Sequence, residues 1–354
     1  MFQPPRCPYP ECPRFARPEP GFYQRSGSYR AKCRPHPIPR FLCKTCGRTF
    51  SRQTFRMDRH DHRPDLNAKL FQLLASGVGL RQSARMLGLS RRCVELKARK
   101  IGRHLRQIDL NLCGLLPEGC ELAFDELETY EGRRRTRPLT VPLLVETTSH
   151  FILWAESAPI RPSGKMSEAR LAAIAEDEAR YGPRRNLSRS AILRTLRRGA
   201  ARTSHLERVV LITDEKTLYP ALASEVFGAA RLEHRTVNSE VARSTWNPLF
   251  PVNHTEAVMR DLMGRLRRDS WLVSKRRRYL DVALHVFIAF RNWVRSRFNG
   301  EDFSAGQMLG FVPRRLTIGE LLSWRQDCGA LSPWPLSRKA RSIADHRAAQ
   351  EVAS

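Results

Sequence analysis

The chain has 354 residues, enough to bury more than one core, so two or three domains are expected. Lys and Arg number 62 against 35 Asp and Glu, a net charge of +27 that points to nucleic-acid phosphate as the partner. No apolar stretch reaches the length of a membrane span, the longest, at 282–290, being interrupted by His285, and Met1-Phe2-Gln3-Pro4-Pro5 opens no secretory signal. No membrane partner is therefore expected, an anionic membrane surface being the plainer alternative for the charge, and a reducing, cytoplasmic setting around the bacterial nucleoid is expected.

Residues 1–50 read as a Pro- and Arg-rich ribbon. Cys7 and Cys12 are separated by four residues and Cys43 and Cys46 by two, spacings that suit two knuckles giving four thiolates to one structural Zn2+. The run Cys43-Lys44-Thr45-Cys46-Gly47-Arg48-Thr49-Phe50 places a glycine where the chain must turn tightly behind the second knuckle. So small a module is expected to draw its folding energy from the metal. Disulfides are the alternative, disfavoured by a reducing compartment; Cys33 and His36 are spare donors, either of which could replace Cys12. Cys93, Cys113, Cys120 and Cys328 show no ligand spacing and read as ordinary buried thiols.

Residues 51–63 read as a solvated polar connector, although Asp58, His60, Asp61 and His62 cluster there. From 64 to 108 the pattern is helical: Leu66, Leu70, Leu73 and Leu74 form one stripe, Gly77 and Gly79 end it, and Leu80, Ala84 and Leu87 form a second helix closed by Gly88. Ser90 is placed to cap a third helix carrying Val94, Leu96 and Ile101. A small residue, a glycine turn and an apolar residue in the next helix give helix-turn-helix layout, with Arg91, Arg92, Lys97 and Arg99 as the DNA-contacting residues. The N-terminal 110 residues hold 24 basic and 7 acidic side chains, so DNA affinity is expected to concentrate there. A three-helix scaffold without a DNA role is the plain alternative.

After Gly119 the period becomes extended. Residues 120–127, 137–145 and 151–156 read as an antiparallel meander, 188–199 as an amphipathic helix, and Val209-Val210-Leu211-Ile212-Thr213 as a strand buried on both faces. A helix at 219–227, a strand at 231–237 and helices at 255–268 and 276–297 follow, and the tail 336–354 reads as disordered. Asp125 lies within the first of these strands and Asp214 ends the fourth, positions where a lone carboxylate is costly unless paired or metal-bound. On neighbouring strands the two could hold Mg2+ or Mn2+ ions about 3.5–4 Å apart for phosphoryl transfer. Caps of nearby turns are the alternative, since Glu126, Glu128 and Glu131 show that carboxylates are common here. A third ligand is expected from 247–261: Glu256 by charge, Asn253 as a neutral oxygen donor, or Asp261 further along. Glu256 and Arg260 are also spaced for a plain surface ion pair.

This order of strands and helices resembles the ribonuclease-H-like fold. The four-cysteine ribbon, the helix-turn-helix pattern, Phe124-Asp125-Glu126, Thr213-Asp214 and the basic run 265–275 together resemble DDE-class insertion-sequence transposases, over residues 7–325. The resemblance implies a multi-domain chain: a zinc ribbon at 1–50, a helix-turn-helix at 64–108 and an α/β ribonuclease-H-like domain with a mixed sheet at 119–325. It implies cleavage and strand transfer on double-stranded DNA, at transposon ends and target, by a homo-oligomer with Asp125 and Asp214 as the first two catalytic acids. Aligning the basic run puts Asn253 nearer the third acidic position, with Glu256 three residues on. The rival function is a DNA-binding regulator or decayed copy without catalysis.

Overall fold

The computed structural model describes residues 2–238, 240–242, 244–267 and 271–325; Cys328, the tail from 336 and positions 268–270 of the basic run lie outside the described residues. At the N-terminus a short helix α1 (Pro13–Ala16) precedes strands β1 (Tyr23–Tyr29), β2 (Ile38–Cys43) and β3 (Thr49–Ser51), which pair antiparallel in that order. Phe22, Phe41, Phe50 and Phe55 make a core of rings, with Phe41 and Phe50 centroids 5.8 Å apart. The ribbon thus has an aromatic nucleus besides its cysteines.

The connector is not a solvated linker. Asp58 is buried between Arg34 at 2.8 Å and Arg56 at 2.9 Å, while Asp61 meets Lys97 at 3.1 Å and Lys100 at 2.6 Å and accepts from Asn67 at 3.0 Å. Burial alone would raise both carboxyls, but these donors outweigh it and hold them below the usual range. The acidic residues that looked like surface charge are a joint between ribbon and helices.

Helices α2 (Asn67–Ala75), α3 (Leu80–Leu87) and α4 (Arg91–Leu112) follow. Gly88 takes φ 61° at the end of α3, which a side chain would strain, and the Ser90 hydroxyl accepts from the Cys93 N–H at 3.2 Å to start α4.

The second half carries β4 (Glu121–Tyr130), β5 (Pro138–Glu146), β6 (Ile152–Ala155), β7 (Ala158–Pro159), α5 (Glu168–Tyr181), α6 (Ser188–Arg202), β8 (Val209–Asp214), α7 (Tyr219–Phe227), β9 (Leu232–Val237), α8 (Phe250–Leu262), α9 (Arg277–Ala289), α10 (Ala305–Met308) and α11 (Ile318–Ser323). The sheet is mixed, in the order β6-β5-β4-β8-β9 with β7 added beside β5. β4, β5 and β6 are antiparallel; β8 and β9 run parallel to β4. Five of the six residues of β8 are buried, as its unbroken apolar run requires. One sheet face, with Leu122, Phe124, Leu144 and Leu211, packs on α6 and α7. The other, with Ala123, Leu127, Leu143 and Ile212, packs on Val252 and Met259 of α8 and Leu280 and Leu284 of α9.

Several boundaries differ from expectation. α8 starts at Phe250 and stops at Leu262, not 255–268, because Asn247 ties off the preceding loop by donating to the Val241 and Ala242 carbonyls and accepting from the Leu249 N–H. α9 ends at Ala289, where Phe290–Val294 widens into a π turn. α5 was not expected at all; its one fully buried residue, Asp177, gives the pattern little apolar stripe.

The helical segment is also not a free-standing core. Leu70, Phe71, Ile101 and Leu105 belong to the same apolar cluster as Leu122 and Phe124, because α4 extends its stripe past residue 101 and lies against α9. At their crossing a Cβ on Gly102 would sit 2.6 Å from the Val282 carbonyl oxygen. Gly102→Ala should therefore lower stability by about 1–3 kcal/mol through overpacking, readable as a shifted urea midpoint.

Asp109 of α4 supplies a pH test of the same junction. An unfolded Asp ionises near ~3.9. In the fold, burial pushes its carboxyl up to about 8, against one hydrogen bond from Trp293 Nε1 at 2.6 Å. A raised acid costs nothing below its unfolded pKa and progressively destabilises the fold as pH rises toward 8. Asp109→Asn, which keeps an acceptor oxygen, should leave the urea midpoint at pH 4 nearly unchanged and raise it at pH 8. Among the described residues no helix is long and apolar enough to cross a membrane.

Candidate functional site

Two sets of chemistry-bearing residues stand out. In the ribbon, Cys7, Cys12, Cys43 and Cys46 bring their four sulfurs within 4.8 Å of one another, with Cys7–Cys46 at 3.7 Å and Cys12–Cys43 at 3.8 Å. Four sulfurs about 2.3 Å from a tetrahedral zinc ion would be ~3.8 Å apart, so the group can hold a structural metal ion as it stands. The backbone prepares it: Gly47, at φ 67°, donates its N–H to the Cys43 carbonyl at 2.9 Å, and the Cys43 N–H reaches Arg48 O at 3.0 Å. Burial works against the Cys43 thiolate, yet the nearby Cys46 and Thr45 N–H groups outweigh it and bring that thiol down to about 7. Cys33 lies elsewhere, with its Sγ 3.3 Å from Asp61 O, and neither it nor His36 joins the group.

The second set lies on the mixed sheet. β4 and β8 pair with Glu121 opposite Val210, Leu122 opposite Leu211 and Ala123 opposite Ile212. Carrying that register two residues on sets Asp125 level with Asp214. Strand alternation then puts both on the face of Ala123 and Ile212, the face covered by α8. The pairing stops at Ala123–Ile212, so the two carboxylates stand on one face just past the last pair, where β8 ends. Asp125 Oδ1 accepts from the Glu126 N–H at 2.7 Å and Asp214 Oδ1 from the Lys216 N–H at 3.1 Å, contacts that fix the base of each side chain.

α8 brings the third candidates. At 3.6 residues per turn, Glu256 lies about 40° around the helix from the buried Val252, and Asn253 about 100°. Glu256 is therefore nearer the sheet-facing stripe of Val252, Thr255 and Met259, although both are half-buried. The start of α8 is anchored by a ring stack in which His254 lies 5.5 Å from Phe250, 5.3 Å from His150 and 5.2 Å from Phe298. Among the described residues only the four cysteines gather three or more ligand atoms within 4.8 Å, so Asp125, Asp214 and Glu256 do not converge to that distance.

Sequence reasoning missed the group behind the two aspartates. Glu126 points to the opposite face and accepts from Thr140 Oγ1 at 2.8 Å, Ser188 Oγ at 2.9 Å and Tyr219 OH at 2.9 Å, and it pairs with Lys216. Burial would raise this carboxyl, but Lys216, Thr140 and Ser188 hold it below the usual range. Tyr219 is pushed far up by burial and by the charges of Glu126, Asp125 and Asp214, so it stays a donor. This network ties β4, β5, α6 and the β8–α7 turn together around the aspartates. The available signal was the exception to alternation: a glutamate where β4 should present an apolar residue.

The basic residues assigned to DNA divide. Arg91 and Arg92 are exposed at the start of α4. Lys97 is buried, donating to Asn67 Oδ1 and Arg63 O at 2.8 Å each and pairing with Asp61, so it belongs to the joint and not to a DNA-facing surface. Arg99 faces a pocket between α4 and α9. No protein-family model matches the chain, and no curated protein matches it significantly.

Proposed function

We propose that the chain is a DNA transposase of the DDE class, with Asp125, Asp214 and Glu256 as its acidic ligands. The observation that carries this reading is the β4–β8 register, which, carried two residues past its last pair, sets two aspartates 89 positions apart in sequence level with each other on one face of a mixed sheet. The sheet order supports the reading: a three-strand antiparallel meander whose first strand pairs with parallel β8, with parallel β9 beyond it, resembles that of a ribonuclease-H-like domain. The net charge of +27 supplies the attraction for DNA.

The oxygen donors suit Mg2+ or Mn2+, which when bound would supply Lewis-acid assistance at the attacked phosphate. Within the chain, Asp125 and Asp214 hold fixed negative charge at the end of β8, Glu256 approaches from α8, and the Glu126–Lys216–Tyr219 group keeps the two strands in register. Hydrolysis at the element end would free a 3′-hydroxyl that then attacks target DNA. The ribbon, with a zinc ion on its four cysteines, and the α3–α4 turn with Arg91 and Arg92 would dock the end, and cleaving two ends would call for a homo-oligomer.

The test is incubation of the full chain with a labelled fragment carrying the inverted repeat that flanks its gene. Nicking that requires Mg2+ or Mn2+ is expected. Tight, sequence-selective binding with no nicking in either ion would instead leave a DNA-binding regulator.

A further inference from the structure

A pocket of 370 Å³ opens between α4, α9, α6 and the outer strand β6. Its wall holds Arg99, Arg103 and Arg106 from α4, Arg194 from α6, and Arg277 and Arg278 from α9. Two carboxylates share the wall, and both are already engaged. Glu156 accepts from Trp154 Nε1 at 3.1 Å and Arg194 at 2.5 Å, while Asp281 accepts from Ser157 N–H at 2.9 Å and its hydroxyl at 2.6 Å and pairs with Arg277 at 3.4 Å. The α4 arginines stand at steps of four and three residues, on one helix face. None of the three forms an ion pair with another of the described residues; Arg106 instead rests over the Trp154 ring, 5.4 Å from its centroid, beside Arg198 at 4.6 Å.

The Trp154 ring holds Arg106 and Arg198 in place at the surface, and six arginines against two engaged carboxylates leave the wall with an excess of positive charge that attracts an anion. His285 adds no charge to this wall: burial, and then Arg106 and Arg198, push its imidazole down to about 3, so that ring is neutral across ordinary pH. At about 1.5 Å rise per residue, Arg99 to Arg106 spans ~10 Å. That is the rise of about three phosphates along one DNA strand. Guanidinium forks also match phosphate oxygens two at a time.

We propose that this pocket seats the phosphodiester backbone of duplex DNA, on a surface separate from the acidic residues. The separation follows from register. Trp154 pairs with Leu144 and Leu144 with Phe124, so the ring faces away from Asp125 and lies two strands, about 10 Å, to its side. The proposal rests on DNA being the partner, and not on the acids' chemistry.

Arginine footprinting of the full chain tests it. Phenylglyoxal modification would be followed by peptide mass spectrometry, without DNA, with saturating duplex of arbitrary sequence, and with inorganic phosphate alone. Duplex should slow modification of Arg103 and Arg106 by about fivefold or more, and phosphate alone should do so far less, because only the polymer releases condensed counterions. Arg103→Glu, at an exposed position without an ion pair, should lower duplex affinity by about fivefold or more and reduce the log–log salt slope by about one. Equal rates with and without saturating duplex would overturn the pocket and leave the transposase reading standing. Protection by phosphate but not by duplex would make it a small-anion site, also against the proposal. No duplex binding at all would remove both.

Discussion

Stripping the metal from the four cysteines should unfold the ribbon while leaving the mixed-sheet body folded. The sulfurs already stand at 3.7 and 3.8 Å, and without an ion four thiolates so close repel one another and must protonate. A structural zinc site contributes on the order of 10–16 kcal/mol in small finger modules, more than a few aromatic contacts in a module this size can replace. The ring core of Phe22, Phe41, Phe50 and Phe55 should therefore persist only as a loose cluster. The body has two apolar clusters of its own, one on each sheet face, and depends on none of these residues. Purified chain should carry about one zinc per molecule. After chelation, trypsin should cut rapidly at Arg25 and Arg30, in and after β1, while a fragment containing residues 64–325 survives. Cys43→Ser should do the same without chelator. A ribbon that stays protease-resistant in both samples would show that its rings, not a metal, hold it.

Much of this architecture is legible in the sequence because its signals are local. The spacing of Cys7, Cys12, Cys43 and Cys46 identifies the cluster that the structure forms, since short knuckles fix the sulfurs with little help from elsewhere. The apolar run at Val209–Asp214 gives a buried strand, and Tyr219–Phe227 a helix, at the boundaries read from pattern alone. What the sequence hid is long-range. Asp58 and Asp61 look like surface charge until Arg34 and Lys97, 24 and 36 positions away, are folded onto them. Lys97 looks like a DNA contact for the same reason, because a basic helix position carries no mark of the acid that will bury it. The extent of α4 was misjudged because its stripe serves two masters: Val94 packs within the helical segment, and Leu105 and Ile108 continue into the sheet's core. The role of Glu126 escaped notice because its four partners come from β5, α6, the β8–α7 turn and the start of α7, all far from it in sequence.

Asp125→Asn and Asp214→Asn should each abolish strand cleavage and leave DNA binding intact or slightly tighter. Losing one charged oxygen ligand weakens the hold on a divalent ion, and the barrier should rise by about 4 kcal/mol or more, on the order of 10³-fold in rate. Binding should move the other way because each substitution removes a negative charge that repels the phosphate backbone. The fold should tolerate the change: the Asx contacts to the Glu126 and Lys216 N–H groups need only an oxygen, which asparagine retains. Glu126, whose carboxyl faces the opposite core, gives the contrast. Glu126→Gln should lower the melting temperature, since it leaves Lys216 without its buried counter-charge, while divalent-ion dependence stays the same. For the third ligand the helix geometry favours Glu256, about 40° from Val252, over Asn253 at about 100°. Glu256→Gln should thus be inactive and Asn253→Ala only impaired. The reverse pair of results would transfer the role to Asn253. Full cleavage by both aspartate variants would remove the DDE mechanism, whatever DNA the chain still bound.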